Sequence, residues 1–144
     1  MIVLVTGGRT FGRFHERAEL RQALDSLLAR TREGLIVVHG CARGADFIAR
    51  QWAREQIAAG RPVQEQGFRA DWDHYGTRAG PVRNRVMVEW VADRRDLHDE
   101  VLVLACPGGK GTADCIRRAE SLELDVRTLE QIVAPLRTEG GRRG

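Results

Sequence analysis

Cysteine is scarce in this 144-residue chain: Cys41, Cys106 and Cys115 are odd in number and lack metal-ligand spacing. A disulfide framework and a zinc site are both excluded on that pattern, and no metal is expected. Cys41 and Cys106 flank glycine turns, where either ligand contact or burial as a free thiol suits them. The four histidines, His15, His39, His74 and His98, show no paired spacing, and no Ser-His-Asp constellation emerges. Also missing is any apolar run near the roughly 20 residues that a membrane helix requires, so no membrane partner is expected. The N-terminus begins directly with strand-like IVLVT, without the charged region and cleavage site of a secretory signal, and a cytoplasmic setting is the expectation. A strong excess of one charge sign is absent too. The net charge is +3, but RTEGGRRG at 137–144 holds three arginines and one glutamate, which leaves only +1 for residues 1–136. Charge alone therefore gives no argument for nucleic acid.

With 42% hydrophobic and 30% charged residues, the chain has the composition of one ordinary domain, read as 1–136, followed by a Gly/Arg-rich tail at 137–144 expected to be disordered. Strand and helix signals alternate along it. Residues 2–6, 35–39, 62–66, 101–105 and 126–129 read as strands. Between them, 16–30 places Leu20, Ala23, Leu24, Leu27 and Leu28 at helical spacing, and 45–58 does the same with Ala45, Ile48, Ala49, Trp52, Ala53 and Ile57. Pro81 suits the first turn of a helix running to about Asp93, and 112–122 reads as another. The segment 69–80 carries Trp72, Asp73, His74 and Tyr75 without periodicity and reads as a loop. Continuous apolar strands alternating with helices indicate a parallel sheet covered on both faces. The expected fold is α/β, a Rossmann-like doubly wound sheet of about five strands.

Three glycine-bearing turns each follow an apolar strand: Gly7, Gly8 and Arg9 after IVLVT; Gly40 to Gly44 after LIVVH; and Pro107, Gly108, Gly109, Lys110, Gly111 and Thr112 after VLVLA. Backbone without a β-carbon approaches an anion closely, and a helix starting just beyond aims free N–H groups and its positive dipole end at a phosphate. In doubly wound sheets all three turns would fall at the carboxyl edge, where ligands bind. None is the G-x-G-x-x-G dinucleotide fingerprint, and GGKGT does not complete a Walker A loop. The ordinary dehydrogenase and ATPase readings lose support accordingly.

The runs VVHGCARGAD, AGPVRNRVM and LACPGGKGT, with TGGRTF in front, together resemble the SLOG superfamily, which includes DprA/Smf DNA-processing proteins and LOG-type phosphoribohydrolases. Within it the chain is most similar to the YspA, cpYpsA-related group, from Met1 to about Leu129. The resemblance implies a Rossmann-like fold that binds a nucleotide or nucleotide-derived, ADP-ribose-like ligand, with no cofactor required and with self-association into a homodimer. It also implies site residues. Gly108, Gly109, Gly111 and Thr112 match the family's PGGxGT phosphate turn, with Lys110 at its variable position, either solvated or on a phosphate. Gly40, Arg43, Gly44 and Asp46 match a pattern shared with DprA-like proteins; Asp46 either accepts from a ribose hydroxyl or caps its helix. Arg9 either clamps a phosphate or pairs with a surface carboxylate. In the Arg83, Asn84, Arg85 run, Arg83 is the ligand-facing member, because consecutive odd positions lie about 200° apart on a helix. Trp72, His74 and Tyr75 either stack on a base or, for Trp72, anchor the loop to the core.

One departure separates the chain from the LOG enzymes, whose turn reads PGGxGTxxE. The carboxylate position is Cys115 here, and Asp114 stands one helical step of about 100° away, an offset expected to redirect it. The catalytic residue is thus unknown, with Arg83, Glu89 and Asp73 as candidates beside Asp46. Binding of a nucleotide, as sensor or processing protein, is the leading expectation. The alternatives are a nucleotide N-glycoside hydrolase and a DprA-like binder of single-stranded nucleic acid.

Overall fold

The strand at Ile2–Thr6 (β1) is buried along its whole length, with Val3 and Val5 facing one helical layer and Ile2 and Leu4 the other. That two-sided burial is why its sequence is a continuous apolar run rather than an alternation. In the computed structural model, which describes residues 1–97 and 100–142, four further strands join it: Leu35–His39 (β2), Val63–Gly67 (β3), Val101–Ala105 (β4) and Asp125–Thr128 (β5). All neighbours pair in parallel, in the order β3-β2-β1-β4-β5. This is the Rossmann-like α/β sheet that the alternation of strand and helix signals implied.

Among the described residues five α-helices flank the sheet, Glu16–Arg30 (α1), Ala45–Ala58 (α2), Ala79–Asp93 (α4), Lys110–Ser121 (α5) and Leu129–Arg142 (α6), and a short exposed one, Trp72–Tyr75 (α3), precedes α4. Helices α1, α2 and α6 pack on the Val3/Val5 face through Leu20, Leu24, Trp52, Leu129 and Val133. Helices α4 and α5 cover the Ile2/Leu4 face through Met87, Val88, Val91, Cys115 and Ala119. Trp52, fully buried, spends its indole N–H on Asp25 Oδ1 at 2.8 Å, which satisfies the one polar atom it brings into the interface between α1 and α2. Among the described residues no helix is long and apolar enough to cross a membrane.

Three local differences from expectation have physical reasons. The segment read as a loop at 69–80 contains a short helical turn, α3, capped by Asp71, whose carboxylate accepts the His74 N–H at 3.1 Å, then a 3-10 turn at Gly76–Arg78, and α4 begins within it at Ala79. Helix α5 begins at Lys110, two residues earlier than its apolar spacing indicates, because Gly109 already acts as its N-cap. The segment expected to be a disordered tail is helical through Arg142 as the continuation of α6, while Gly144 and its neighbour at 143 lie outside the described residues. Leu129 and Val133 anchor that helix in the core, and Arg137 holds it to α1 through Glu19 at 2.9 Å and within α6 through Glu130 at 2.8 Å. Upstream packing, which tail composition does not register, sets the conformation.

The strand order places the decisive geometry. From β1 the chain winds outward through β2 to β3, then returns to the other side of β1 for β4 and β5. Connections after β1 and β4 therefore leave in opposite directions and open a crevice at the carboxyl ends of these two strands.

Candidate functional site

A cavity of about 630 Å³ fills this crevice. Its floor is Thr6, Gly7 and Gly8 from β1 and its turn; one wall is Gly109 to Thr112 with Asp114 and Arg117 from α5; the other is Gly80, Pro81, Arg83, Asn84 and Met87 from α4, with Asp46, Ala42, Arg9 and Trp72 closing the far side. All three glycine turns contribute, but the structure gives them different tasks.

The first and third turns are pressed together. Gly8 N–H donates to the Pro107 carbonyl at 2.9 Å, and a β-carbon on Gly8 would stand 3.0 Å from the Gly108 Cα. A β-carbon on Gly108 would collide with the Thr112 side chain and lie 2.7 Å from the Gly8 nitrogen. These glycines permit contact of backbone with backbone. By contrast, Gly109 and Gly111 have nothing within 4 Å of an added β-carbon, although both line the cavity. The first bond of the α5 ladder runs from Ala113 N–H to the Gly109 carbonyl at 3.0 Å, so the N–H groups of Lys110, Gly111 and Thr112 precede it and have no partner within the helix. The third turn thus presents a helix N-terminus with room in front of it.

The second turn is closed by its own carboxylate. Asp46 is only 6% exposed, and its Oδ2 accepts the N–H groups of Gly40 at 2.9 Å and Ala42 at 3.3 Å. Burial pushes its pKa up, against the pull of those N–H groups and of Arg83 and His39. Its negative charge sits at the N-terminus of α2, where Ala45 N–H is already directed at the Gly8 carbonyl at 3.4 Å. Gly44, with φ +75°, lies so close to the Gly8 carbonyl that no side chain fits. Asp46 braces the loop as well as lining the cavity, and its Oδ1 accepts from none of the described residues.

Arg83 lines the crevice while Arg85 is exposed on the far side of α4. The Arg83 guanidinium donates to the Gly40 carbonyl through Nη1 and to Asn84 Oδ1 through Nε at 2.9 Å. Asn84 is buried and spends its amide on the Gly111 carbonyl at 3.1 Å and Asp114 Oδ2 at 3.0 Å. It orients Arg83 and ties α4 to the first turn of α5, a positioning task. Trp72 is 50% exposed at the mouth rather than sunk in the core, with the Arg9 guanidinium 5.7 Å from its ring centroid. His74 stacks edge-on against Tyr75, and neither lines the cavity. Arg43 is exposed and lines an adjoining hollow with Gly40.

Two expectations are corrected by the packing. Glu89 and Asp73 are exposed and do not line the crevice, Glu89 because Met87, Val88 and Val91 form the inward face of α4. Cys115 points into the core, fully buried with Ala119 one turn on, and burial pushes its thiol up to about 11. Cys115 does not line the cavity; Asp114 does. The helical step does redirect it, but toward the crevice. Partial burial would raise the Asp114 pKa, yet hydrogen bonds from Asn84 and Arg118 together with the charges of Arg118 and Arg117 hold it below the ordinary carboxylate value. The signal was available in the sequence: Thr112, Cys115 and Ala119 are the small, apolar face of α5, which leaves Gly111 and Asp114, three apart, on the neighbouring stripe.

The other cysteines and His39 lie around the turns without lining the crevice. Cys106 is buried with its thiol pushed up to about 12, and Cys41, partly exposed at φ +58°, donates its N–H to His39 Nδ1 at 3.1 Å. That bond fixes the His39 tautomer, so Nε2–H donates to Glu65 at 2.7 Å beneath the second turn. His98 lies outside the described residues.

The model of the YspA, cpYpsA-related SLOG family matches residues 1–75, which takes in the first two turns and Trp72. The Gene 61 protein of Mycobacterium phage D29 is 40% identical over 126 residues, covering 86% of this chain and 92% of that protein.

Proposed function

The chain belongs to the YspA, cpYpsA-related SLOG family, and from that premise we propose that its crevice binds a nucleotide or a nucleotide-derived, ADP-ribose-like ligand. The observation that carries the reading is the third turn. Three unpartnered N–H groups open α5 in front of Gly109 and Gly111, whose missing β-carbons answer to no protein neighbour. An anion of phosphate size fills such a space and accepts from such donors. The Thr112 hydroxyl and Lys110 add donors beside it. From that phosphate, the ribose reaches Asp46 Oδ1 and the base covers the open face of Trp72, a stacking surface that does not discriminate among bases.

Calorimetric titration with AMP and with ADP-ribose tests the proposal, with Gly109→Asp as the variant that places a carboxylate where the phosphate belongs. Saturable binding that Gly109→Asp abolishes is the expected result. No heat from either ligand with wild-type protein would sink the reading.

A second reading, cleavage of a nucleotide N-glycosidic bond, gains from one observation: a carboxylate kept ionised by its neighbours, Asp114, does line the cavity beside Arg83. Such a group stabilises positive charge developing on an anomeric carbon. Incubation of nucleoside monophosphates with the protein should then release free base, and Asp114→Asn should slow release about a hundredfold or more. A flat time course with wild-type protein removes this reading and leaves the binding one untouched.

A further inference from the structure

Beside the crevice lies a second hollow of about 620 Å³, lined by Arg9, Arg43, Arg50, Arg69 and Arg83 and by no aspartate or glutamate. It shares Arg9, Ala42, Trp72 and Arg83 with the first cavity, so the two hollows adjoin across these side chains. None of the five arginines lies within 4.0 Å of a carboxylate among the described residues. Among the described residues Arg21, Arg30, Arg54, Arg117, Arg118, Arg127 and Arg137 have an acidic partner, while other arginines such as Arg13, Arg17 and Arg85 have none within 4.0 Å; what sets the five apart is that they line one hollow. Arg83 already acts on the buried Asp46, but Arg9, Arg43, Arg50 and Arg69 line the same hollow with no carboxylate partner, and an anionic ligand relieves their mutual repulsion.

We propose that this annex holds a second phosphate of the same ligand, so that the molecule bound is dinucleotide-like: one phosphate at the start of α5, a nucleoside at Trp72, and another phosphate among the arginines. The proposal rests on the nucleotide reading of the crevice and adds the ligand's length and charge. A long polyanion fits less well, because residues 1–136 carry a balance of only +1 and supply no extended positive track. The second phosphate is met by a local cluster.

Calorimetry with intact protein would compare AMP, the 5′-phosphorylated dinucleotide pApA, and a ten-residue oligodeoxyadenylate. Arg50 and Arg69 line the annex and not the crevice, so the double variant Arg50→Ala/Arg69→Ala isolates it. The expected result is pApA binding about tenfold tighter than AMP, with a steeper loss of affinity on adding salt. In the double variant pApA falls to the affinity of AMP, AMP binding is unchanged and so reports an intact fold, and Arg50→Lys/Arg69→Lys recovers part of the difference. Equal affinity of wild-type protein for AMP and pApA overturns the annex while leaving the crevice reading standing. Failure of AMP and pApA alike overturns both. A decamer that binds well above pApA overturns the two-phosphate limit in favour of single-stranded nucleic acid.

Discussion

Gly108 and Gly109 are adjacent and chemically identical, yet they answer to different constraints. Gly108 is held between the Gly8 nitrogen and the Thr112 side chain, so a methyl group there must push two loops apart. Overpacking of that kind costs about 1–3 kcal/mol. Gly109 faces open space, and a β-carbon there meets no neighbouring atom within 4 Å. Gly108→Ala should lower the unfolding free energy from urea denaturation, whereas Gly109→Ala should leave it within about 0.5 kcal/mol of wild type and still weaken ligand binding. Equal loss of stability in the two variants would show that the third turn is a packing device only. Asp46 allows a parallel comparison. Asp46→Asn keeps an oxygen for the Gly40 and Ala42 N–H groups and sheds a charge that burial disfavours, while Asp46→Ala leaves two donors stranded at about 1–3 kcal/mol each. Because the folded pKa of Asp46 is raised, its ionisation works against the fold, so the stability it contributes is greatest at low pH and declines as pH rises through the unfolded value toward the folded one. The advantage of Asp46→Asn over wild type in chemical denaturation should therefore grow from pH 4 to pH 7; a constant difference would sever the link to ionisation.

Helix α5 shows at the level of one element what was readable and what was not. All five strands, and helices α1, α2, α4 and α5, were legible to within two or three residues, since apolar periodicity reports directly on which side of an element meets the core. Which of three glycine turns holds the open N-terminus was not legible. It depends on Asp46 closing the second turn and on Gly8 N–H being spent on Pro107, contacts between segments far apart in the chain. The position of Asp114 depended on the rotation of α5 against α4, set by Cys115 and Ala119, and reading Cys115 as the site position placed the wrong face of the helix toward the crevice. The joint between these helices makes a prediction of its own. Asp114 accepts from Asn84 and Arg118, and its folded pKa is depressed, so its contribution is fully present above the unfolded carboxylate value and is lost as pH falls through the folded one. Wild-type protein should lose more stability between pH 5 and pH 3 than Asp114→Asn, as followed by circular dichroism in urea. Parallel acid limbs for the two proteins would remove Asp114 from the joint.

At the scale of the whole molecule, the last helix decides where the folded body ends. Composition ends it at residue 136, whereas the structure carries α6 across α1 through Arg142. Two kinds of contact hold α6, and they differ in strength. Leu129 and Val133 are buried in the same core as Leu24, Leu104 and Cys106, and removing the side chain of Val133 costs about 2 kcal/mol through lost burial and the cavity left behind. Arg137 is half exposed, and its pairs with Glu19 and Glu130 work in water and are screened by salt. The part of α6 beyond Leu136 should therefore depend on the part before it, and not the reverse. Deleting 137–144 should leave the thermal midpoint almost unchanged at about 0.15 M salt, while Val133→Ala lowers it by about 4–8 °C, the shift of a destabilisation of about 2 kcal/mol in a domain of this size. Should the deletion destabilise as much as Val133→Ala, the end of the chain would be an integral part of the fold, and the arginine that reaches Glu19 would be a structural clamp rather than a surface tie.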